Sequence, residues 1–257
     1  MPKIDVLLHG FPFRTDQGIP GFCSSLLVEG EKRTLIDVGH VGRRTTLQQA
    51  LEDRGLGYDD IDVTVMSHAH WDHSQNFDLF KNTPMLVHPW ERKYAHHPHP
   101  NDWATPAWSG AMVEFQPDIV EVEEGYEIEP GVRIIHTPGH SPGSITVLVD
   151  TDDGVCAVTG DVLHYANVAL TKTNPLVFWN ERDATKSINR ILDEADVIYP
   201  GHDRSFRLVN GEIEYLEPMK LTLAGVHPDE PGVEFDTTPR PPWVMPGVED
   251  QTVESLG

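Results

Sequence analysis

Short runs of β-branched and other apolar residues recur along the chain, and most end at a glycine or proline. Such runs predict strands. In the first half they lie at 3–10, 23–30, 33–39, 61–67 and 84–88. We expect the first three to be antiparallel. Leu47, Ala50 and Leu51 have helical spacing, which predicts a helix that ends at Gly55, and a short helix is predicted near 75–81.

The second half repeats this arrangement. Its strand-like runs lie at 132–140, 144–150, 155–161 and 196–202. A helix over about 183–195 has one apolar face, formed by Ile188, Ile191, Leu192 and Ala195. Asn210–Gly211 is a strong turn signal and predicts a hairpin. Two strand-rich halves that each carry helix predict an α/β (α+β) fold with sheets packed face to face and helices outside.

The length of the chain predicts one catalytic domain. At 257 residues and 39% hydrophobic composition, it can bury a full core without splitting. We assign this domain to residues 1–224. Residues 225–257 are rich in proline and lack periodicity, so they predict an extended or partly disordered arm. The polar, Trp- and Pro-rich stretch over about 96–112 predicts a lid or binding loop.

The net charge and the hydropathy of the chain limit the classes of partner that it can bind. The net charge of −22, from 19 Lys and Arg against 41 Asp and Glu, would repel a phosphate backbone, so nucleic acid is not an expected partner. No apolar run reaches the roughly 20 residues that span a bilayer, and the first residues are too polar for a secretory signal. We therefore expect a cytoplasmic protein without membrane contact. Cys23 and Cys156 lie in apolar surroundings and are predicted core residues.

Histidine and aspartate side chains concentrate where predicted strands end. The segment "SHAHWDHSQ" (67–75) follows one strand, and three later strands end in "TPGH", "VTGD" and "YPGH". A glycine before the polar residue lets the backbone turn sharply toward a buried centre. The candidate metal ligands are His68, His70, Asp72, His73, His140, Asp161 and His202.

These seven residues can be divided between two metal ions. Residues two apart on an extended segment point the same way, so His68 and His70 can share one ion, which His140 completes. Asp72 and His73 face a second ion, completed by His202, and Asp161 can bridge both with its two oxygens. Imidazole and carboxylate without thiolate suit Zn²⁺ best, with Fe²⁺ or Mn²⁺ as alternatives.

The pattern resembles a known family. "HAHWDH" matches the H-x-H-x-D-H signature of the metallo-β-lactamase superfamily, and "LIDVG" (35–39) is similar to its "LIDTG" strand. The resemblance covers roughly residues 20 to 210. It implies an αββα sandwich with a dinuclear site at one edge of the paired sheets. It also implies that Asp37 orients a metal-bound histidine.

The resemblance further implies hydrolysis. Two cations would lower the pKa of a bridging water, and the hydroxide would attack an acyl carbon. Asp72 would pass a proton to the leaving group. Many acyl-homoserine lactonases have a tyrosine three residues after the bridging aspartate, where this chain has His164, followed by Tyr165. His164 is the predicted hydrogen-bond donor or acid in the opening of a lactone or ester.

Aromatic residues near the site predict the kind of substrate. Trp71, Tyr165, Phe178 and Trp179 are predicted to line an apolar pocket for a small, partly apolar molecule. Two alternatives stay open. They are a glyoxalase II-like thioesterase and a phosphodiesterase or ribonuclease of the same fold. The Pro-rich arm also predicts a possible homodimer.

Overall fold

The computed structural model describes residues 1–225 and 234–256. One sheet comes from the first half of the chain and has the strand order β1-β2-β3-β4-β5-β6. Its strands are β1 (Lys3–Leu8), β2 (Ser25–Glu29), β3 (Arg33–Ile36), β4 (Val63–Val65), β5 (Met85–Val87) and β6 (Ile119–Glu121). The first three strands are antiparallel, as predicted, and β3 to β6 run parallel.

The second sheet has the order β14-β13-β12-β10-β9-β8-β7. Its strands are β7 (Glu127–Glu129), β8 (Val132–His136), β9 (Ile145–Thr151), β10 (Gly154–Val158), β12 (Val197–Tyr199), β13 (Phe206–Val209) and β14 (Glu212–Tyr215). Within it, β10 and β12 are parallel neighbours. The predicted hairpin turn is confirmed, because Asn210 and Gly211 both have positive φ.

The helices cover the outer faces. They are α1 (Arg44–Glu52), α2 (Trp71–Ser74), α3 (Pro89–His96), α4 (Ser109–Glu114), α5 (Asn167–Thr171) and α6 (Glu181–Glu194). The side chain of Asn180 accepts a hydrogen bond from the Asp183 N–H and caps the start of α6. The predicted helices over 45–55 and 183–195 correspond to α1 and α6.

Because side chains alternate along the strands, both faces of each sheet are apolar, and three cores form between the four layers of the molecule. Leu26 and Val28 point into the core between the sheets, where they meet residues such as Ile134 and Val147. Leu27, one position out of phase, faces the opposite side and packs in the cluster that contains Leu47 and Leu51 of α1. On the far side of the second sheet, α6 packs through Ile188 and Ile191. The result is the predicted αββα sandwich.

Two local predictions need different bounds. The short helix predicted near 75–81 is a 3-10 helix at Phe77–Phe80, and a separate helix, α2, ends before it at Ser74. The connection predicted over 96–112 is shorter, because α3 extends to His96 and α4 begins at Ser109. The buried face of α3 includes a glutamate, so its apolar pattern is weak in the sequence.

Part of the Pro-rich arm packs onto the domain. Trp243–Val244 (β15) pairs in parallel with Leu176–Val177 (β11). Residues 234–242 are exposed and form no regular element. Residues 226–233 and 257 of the predicted arm lie outside the described residues. Within the described chain, no helix is long and apolar enough to cross a membrane.

Candidate metal centre

The predicted ligands come from loops at one edge of the two sheets. His68 to His73 follow β4, and His140 lies between β8 and β9. Asp161 and His202 follow the parallel neighbours β10 and β12, so their strand ends bring them together. All seven predicted ligands are buried. The structure therefore gathers in one place every residue that the sequence singled out as a ligand.

Glycines allow the ligand loops to approach one another. A Cβ at position 201 would lie 2.1 Å from Asp161 Oδ1. Gly139 has φ +138°, and a Cβ there would lie 2.1 Å from the backbone nitrogen of Ala184 in α6. Side chains at these positions would push the loops apart. The glycine that precedes each of these ligands is thus a packing requirement of the site.

The ligand atoms form two adjoining groups. His68, His70, His140 and Asp161 have candidate ligand atoms within 4.8 Å of one another, and so do Asp72, His73 and His202. His73 Nε2 and His202 Nε2 each lie 3.3 Å from Asp161 Oδ1, and His140 Nε2 lies 3.5 Å from Asp161 Oδ2. The carboxylate of Asp161 therefore lies between both groups, with one oxygen toward each.

Hydrogen bonds from the surrounding chain set the tautomers of three histidines. His73 Nδ1 donates to Asp37 Oδ2 at 2.7 Å, and His140 Nδ1 donates to the carbonyl of Leu176 at 2.7 Å. Ser67 Oγ donates to Asp37 Oδ2, so it can accept from His68 Nδ1 at 3.0 Å. The Nε2 atoms of all three rings therefore point toward the cluster, where His140 Nε2 lies 3.0 Å from His70 Nδ1.

Buried polar atoms without hydrogen-bond partners show, independently of the sequence motif, that the site fits metal ions. Side-chain atoms that face the cluster are buried without a hydrogen-bond partner, namely His68 Nε2, His73 Nε2 and Asp161 Oδ1. Buried polar atoms are nearly always paired, and several lone pairs that converge without a donor are the normal environment of a bound cation. The residues present could therefore hold metal ions.

Burial and charge control protonation in the cluster. Burial lowers the pKa of His140 to about 3 and the pKa of His68 well below its usual range, so both rings stay neutral. Burial opposes ionisation of Asp161, but the neighbouring His202 and His164 hold its pKa well below the usual value. Neutral imidazoles and an ionised carboxylate are the forms that bind metal.

Two acidic residues that the sequence analysis missed support the ligand loops. Glu91 of α3 is buried and accepts hydrogen bonds from Ala69 N–H at 2.7 Å, Ser141 Oγ at 2.7 Å and Gly143 N–H at 2.9 Å. It joins the 68–73 loop to the loop that carries His140. Asp102 lies 3.8 Å from His70 Nε2. No local motif marks either residue, since their partners are distant in sequence.

A cavity of about 140 Å³ opens over the cluster. Of the predicted substrate-binding residues, Trp71 and Phe178 line it, as does His164. Tyr165 lines an adjoining outer cavity. The structure places Trp179 elsewhere, in a separate cluster with Tyr94 and Leu256, so this residue departs from the prediction. Trp103, which the sequence analysis did not select, lines both cavities.

Comparisons with known proteins agree with the fold and the site. The family model described as "Metallo-beta-lactamase superfamily" matches residues 18–202. An N-acyl homoserine lactonase from Bacillus sp. is 27% identical over 205 residues, covering 75% of this chain and 76% of the relative. Metallo-beta-lactamase domain-containing protein 1 from Xenopus laevis is 30% identical over 219 residues, covering 80% of this chain and 82% of the relative.

A solved structure shows the same likeness. A variant of B. thuringiensis AiiA, with N-decanoyl-L-homoserine bound at its active site, superposes with a TM-score of 0.60 at 25% identity, covering 70% of this chain and 80% of that one. The histidine and aspartate cluster lies within the matched family region. The fold, the ligand-type residues and the relatives together show that this chain belongs to the metallo-β-lactamase superfamily.

Proposed function

We propose that this chain is a dinuclear metal-dependent hydrolase that opens a lactone or ester of a small, partly apolar substrate. One observation carries the proposal. Two ligand groups adjoin each other, and the Asp161 carboxylate lies between them at the floor of a cavity with aromatic walls. The N-acyl homoserine lactonases among the relatives support the acyl C–O bond as the target.

We assign the ligands to two ions as in the sequence analysis. His68, His70 and His140 would hold one ion, Asp72, His73 and His202 the other, and Asp161 would bridge them. Zn²⁺ is the expected metal, because the donor set has imidazole and carboxylate without thiolate. When bound, two such ions supply an activated water and polarise the acyl oxygen.

Asp72 is the proposed proton donor to the leaving group. Its side chain lines the cavity and lies 3.3 Å from His202 Nε2 through Oδ2. The backbone carbonyl of Asp72 accepts a hydrogen bond from Cys23 Sγ at 3.0 Å, which helps to fix the loop. As an ionised carboxylate, Asp72 would first accept the proton that the attacking water loses and then pass it to the leaving oxygen.

His164 is the second proposed catalytic residue. Its Nδ1 donates to Asp161 Oδ2 at 3.0 Å, and its ring stacks on His202 with 4.3 Å between centroids. In the neutral ring Nε2 is then the unprotonated nitrogen. Burial lowers the pKa of His164, which favours this neutral form. We infer that His164 Nε2 takes up a proton from solvent and delivers it to an oxygen of the substrate, while Nδ1–H holds Asp161 in place.

The cavity supports a small substrate with an apolar portion. Phe178 is fully buried and forms an edge contact with His70, with 4.6 Å between ring centroids. Trp71 packs in the same cluster and lies at the cavity wall. Apolar walls close to a polar floor are typical of small-molecule sites. The acyl carbon would lie at the floor and the apolar portion against the aromatic rings.

The decisive test is a substrate panel. Purified protein loaded with zinc is assayed on lactones, aryl esters, thioesters and a bis-aryl phosphodiester, and the metal content of the same sample is measured. We expect two ions per chain and the highest kcat/KM on lactones or esters. A preference for the thioester or the phosphodiester would favour one of the two alternatives, and a single ion would contradict the dinuclear assignment.

Asp161→Ala tests the bridging role, with Asp193→Ala as the control because Asp193 is exposed on α6. We expect Asp161→Ala to lose one ion and nearly all turnover, whereas the control keeps both. Full activity with two ions in Asp161→Ala would refute the bridge.

His164→Ala should lower kcat/KM on lactones by roughly 100-fold, because it removes a group that transfers a proton. An unchanged kcat/KM would assign His164 to packing alone.

A further inference from the structure

A second, larger cavity continues outward from the candidate metal centre. Its volume is about 1090 Å³, and it shares several wall residues with the inner cavity, so the two spaces adjoin. The shared wall consists of Pro12, Phe13, Arg14, Ile19, Trp103, His164 and Leu176. A substrate that is cleaved at the floor can therefore extend into this outer space. We call it the outer cavity.

The outer cavity is built largely by segments outside the matched family region, which covers residues 18–202. Part of the wall comes from the loop at 12–14, and another part comes from the arm at 236–243. The arm is held in place by backbone hydrogen bonds from Trp243 N to Pro175 O and from Met245 N to Val177 O, both 2.8 Å. The outer cavity thus depends on segments that the family model does not cover.

Two arginines in this wall have no carboxylate partner among the described residues. Arg14 and Arg240 line the outer cavity, and no ion pair or hydrogen bond joins either side chain to the rest of residues 1–225 and 234–256. Arg182, exposed on α6, also has no such partner there, but it lines neither cavity. Six other arginines are paired: Arg44 with Asp78, Arg54 with Asp5, Arg92 with Glu114, Arg133 with Asp150, Arg190 with Glu124 and Arg207 with Asp153. In a chain of net charge −22, carboxylates are plentiful.

The wall of the outer cavity also contains one carboxylate. It belongs to Asp236, whose Oδ1 accepts the Thr238 N–H at 2.9 Å. Thr238, His164 and Tyr165 add polar groups, and the remaining wall residues are apolar or aromatic, with Ile19 and Trp103 each 45% exposed. Two cations among apolar groups suit a molecule that has an anionic group on a hydrocarbon frame.

We propose that the outer cavity binds a carboxylate carried by the substrate at the end remote from the bond that is cleaved. Arg14 and Arg240 contact that carboxylate, and the apolar wall holds the carbon chain between it and the metal centre. Planar guanidinium groups match a carboxylate through paired N–H donors. Because the negative field of the protein repels anions, such a substrate needs local cations to enter. This inference rests on the proposed function, since it assigns a substrate class to the same site.

The test compares two esters that differ only in one charge. Zinc-loaded protein is assayed on the mono-4-nitrophenyl ester of adipic acid and on the methyl ester of the same compound. The variants are Arg14→Gln with Arg240→Gln in one chain, and Arg182→Gln as the control, because Arg182 is exposed on α6 and lines neither cavity. We expect the double variant to lose about tenfold in kcat/KM on the acid, through KM, because two partly exposed charge contacts are removed.

Two further comparisons of kcat/KM test the inference. The ratio of kcat/KM on the acid to kcat/KM on the neutral ester should stay at the parent value in Arg182→Gln and fall in the double variant. The preference for the acid should fall as salt rises in the parent and the control, and salt should have no such effect in the double variant. If the double variant keeps the full preference, if the parent shows none, or if Arg182→Gln loses as much, the assignment of the carboxylate to Arg14 and Arg240 is wrong.

A binding measurement separates this inference from the proposed function. Monomethyl adipate is titrated into the parent and the double variant while the tryptophan fluorescence is followed, since Trp103 and Trp243 line the outer cavity. Binding tenfold weaker in the double variant supports the inference even if no ester is cleaved, and equal binding overturns it. The corresponding phosphonate is titrated in parallel, and a clear preference for it would replace the carboxylate with a phosphate-type group.

Discussion

At the scale of single residues, the space around Asp161 admits only a glycine at position 201. A Cβ there would lie 2.1 Å from Asp161 Oδ1 and 2.8 Å from the carbonyl oxygen of Gly160. Since the Gly160 backbone cannot move freely, the Asp161 carboxylate has to shift. We expect Gly201→Ala to weaken the binding of at least one metal ion by roughly 10–100-fold.

Metal titration of the purified variants checks this expectation. Gly57→Ala is the matched control, because the nearest atom to a Cβ at that position is Asp60 Oδ2 at 3.7 Å, an ordinary contact. The control should bind metal like the parent. If Gly201→Ala also binds two ions with the parent affinity, the close approach of the two loops has no role in the site.

Glu91 shows how one buried side chain can connect two ligand loops. It is fully buried, and its two oxygens accept three hydrogen bonds from Ala69, Ser141 and Gly143. A glutamine offers one acceptor oxygen and places an amide nitrogen against a donor. We expect Glu91→Gln to lower the free energy of unfolding by about 1–3 kcal/mol and to reduce metal affinity.

Urea unfolding and metal analysis of Glu91→Gln test this role. Glu212→Gln is the control, because Glu212 is exposed on β14. A loss of stability without any loss of metal affinity would show that Glu91 supports α3 but not the ligand loops. Equal behaviour of the two variants would remove Glu91 from the account of the site.

At the scale of elements, the start of α3 contains a pair of stacked histidines. His88 and His136 lie with 3.9 Å between ring centroids, and His88 Nδ1 accepts the Trp90 N–H at 3.2 Å, which caps the helix. Burial, with a smaller effect from His136, lowers the pKa of His88 to about 3. Glu124 and Arg190 are the charged groups next to His136.

This depressed pKa has a defined effect on stability. The unfolded chain binds a proton at His88 near pH 6.5, whereas the folded chain resists protonation down to about pH 3. Stability from this group is therefore present above pH 6.5 and is lost as the pH falls toward 3. Asn at position 88 keeps a cap acceptor but does not titrate. Relative to the parent, His88→Asn should gain about 1–3 kcal/mol between pH 7 and pH 4.

Urea unfolding at pH 7, 5.5 and 4 measures that difference. The metal-site histidines titrate in both proteins, so their contribution cancels in the comparison. His97→Asn, at an exposed position, is the control and should follow the parent. If the gap between His88→Asn and the parent does not change with pH, the histidine pair does not contribute to acid sensitivity.

The elements also show what the sequence could and could not predict. The β-branched runs of β8 and β9 and the apolar face of α6 were visible, because their local patterns agree with their burial. The segment Glu127–Glu129 (β7) was missed since it has only three residues, two of them glutamates. In α3 the buried face includes Glu91, whose partners are up to 52 positions away. Such long-range polar contacts leave no periodic signal.

The same contrast applies to the site. Four of the predicted ligands could be recognised in the 68–73 segment and three in the glycine-then-polar pattern that recurs after strands, and the structure brings all of them together. Trp103 lies in the 96–112 stretch that was predicted to be a lid or binding loop, and it lines both cavities. Arg240 reaches the outer cavity from the arm, and nothing near it in the sequence marks it as a wall residue. The positions of both residues depend on how distant segments pack.

At the scale of the whole molecule, the C-terminal arm connects the fold to the cavity. Met245 is buried against Phe178, Gln251 Nε2 donates to the Phe178 carbonyl at 2.7 Å, and Leu256 packs with Tyr94. The arm thus covers the aromatic wall from behind while its residues 236–243 line the outer cavity. The boundary that we propose at residue 224 would then separate the catalytic sandwich from a segment that lines part of its substrate cavity.

A chain that ends at residue 224 tests that division. The inter-sheet core contains no residue of the arm, so we expect the shortened chain to fold and to retain its metal ions. Loss of buried groups such as Met245 and Leu256 should remove about 2–5 kcal/mol, which lowers Tm by roughly 5–15 °C. KM should rise for substrates that reach the outer cavity and change little for short ones.

Phe235→Ala is the full-length control. Because Phe235 is 86% exposed, this variant should leave Tm unchanged. If the shortened chain matched the parent in Tm and in every KM, the arm would be an appendage. If it failed to fold, the boundary at 224 would be wrong, because the arm would then belong to the domain itself.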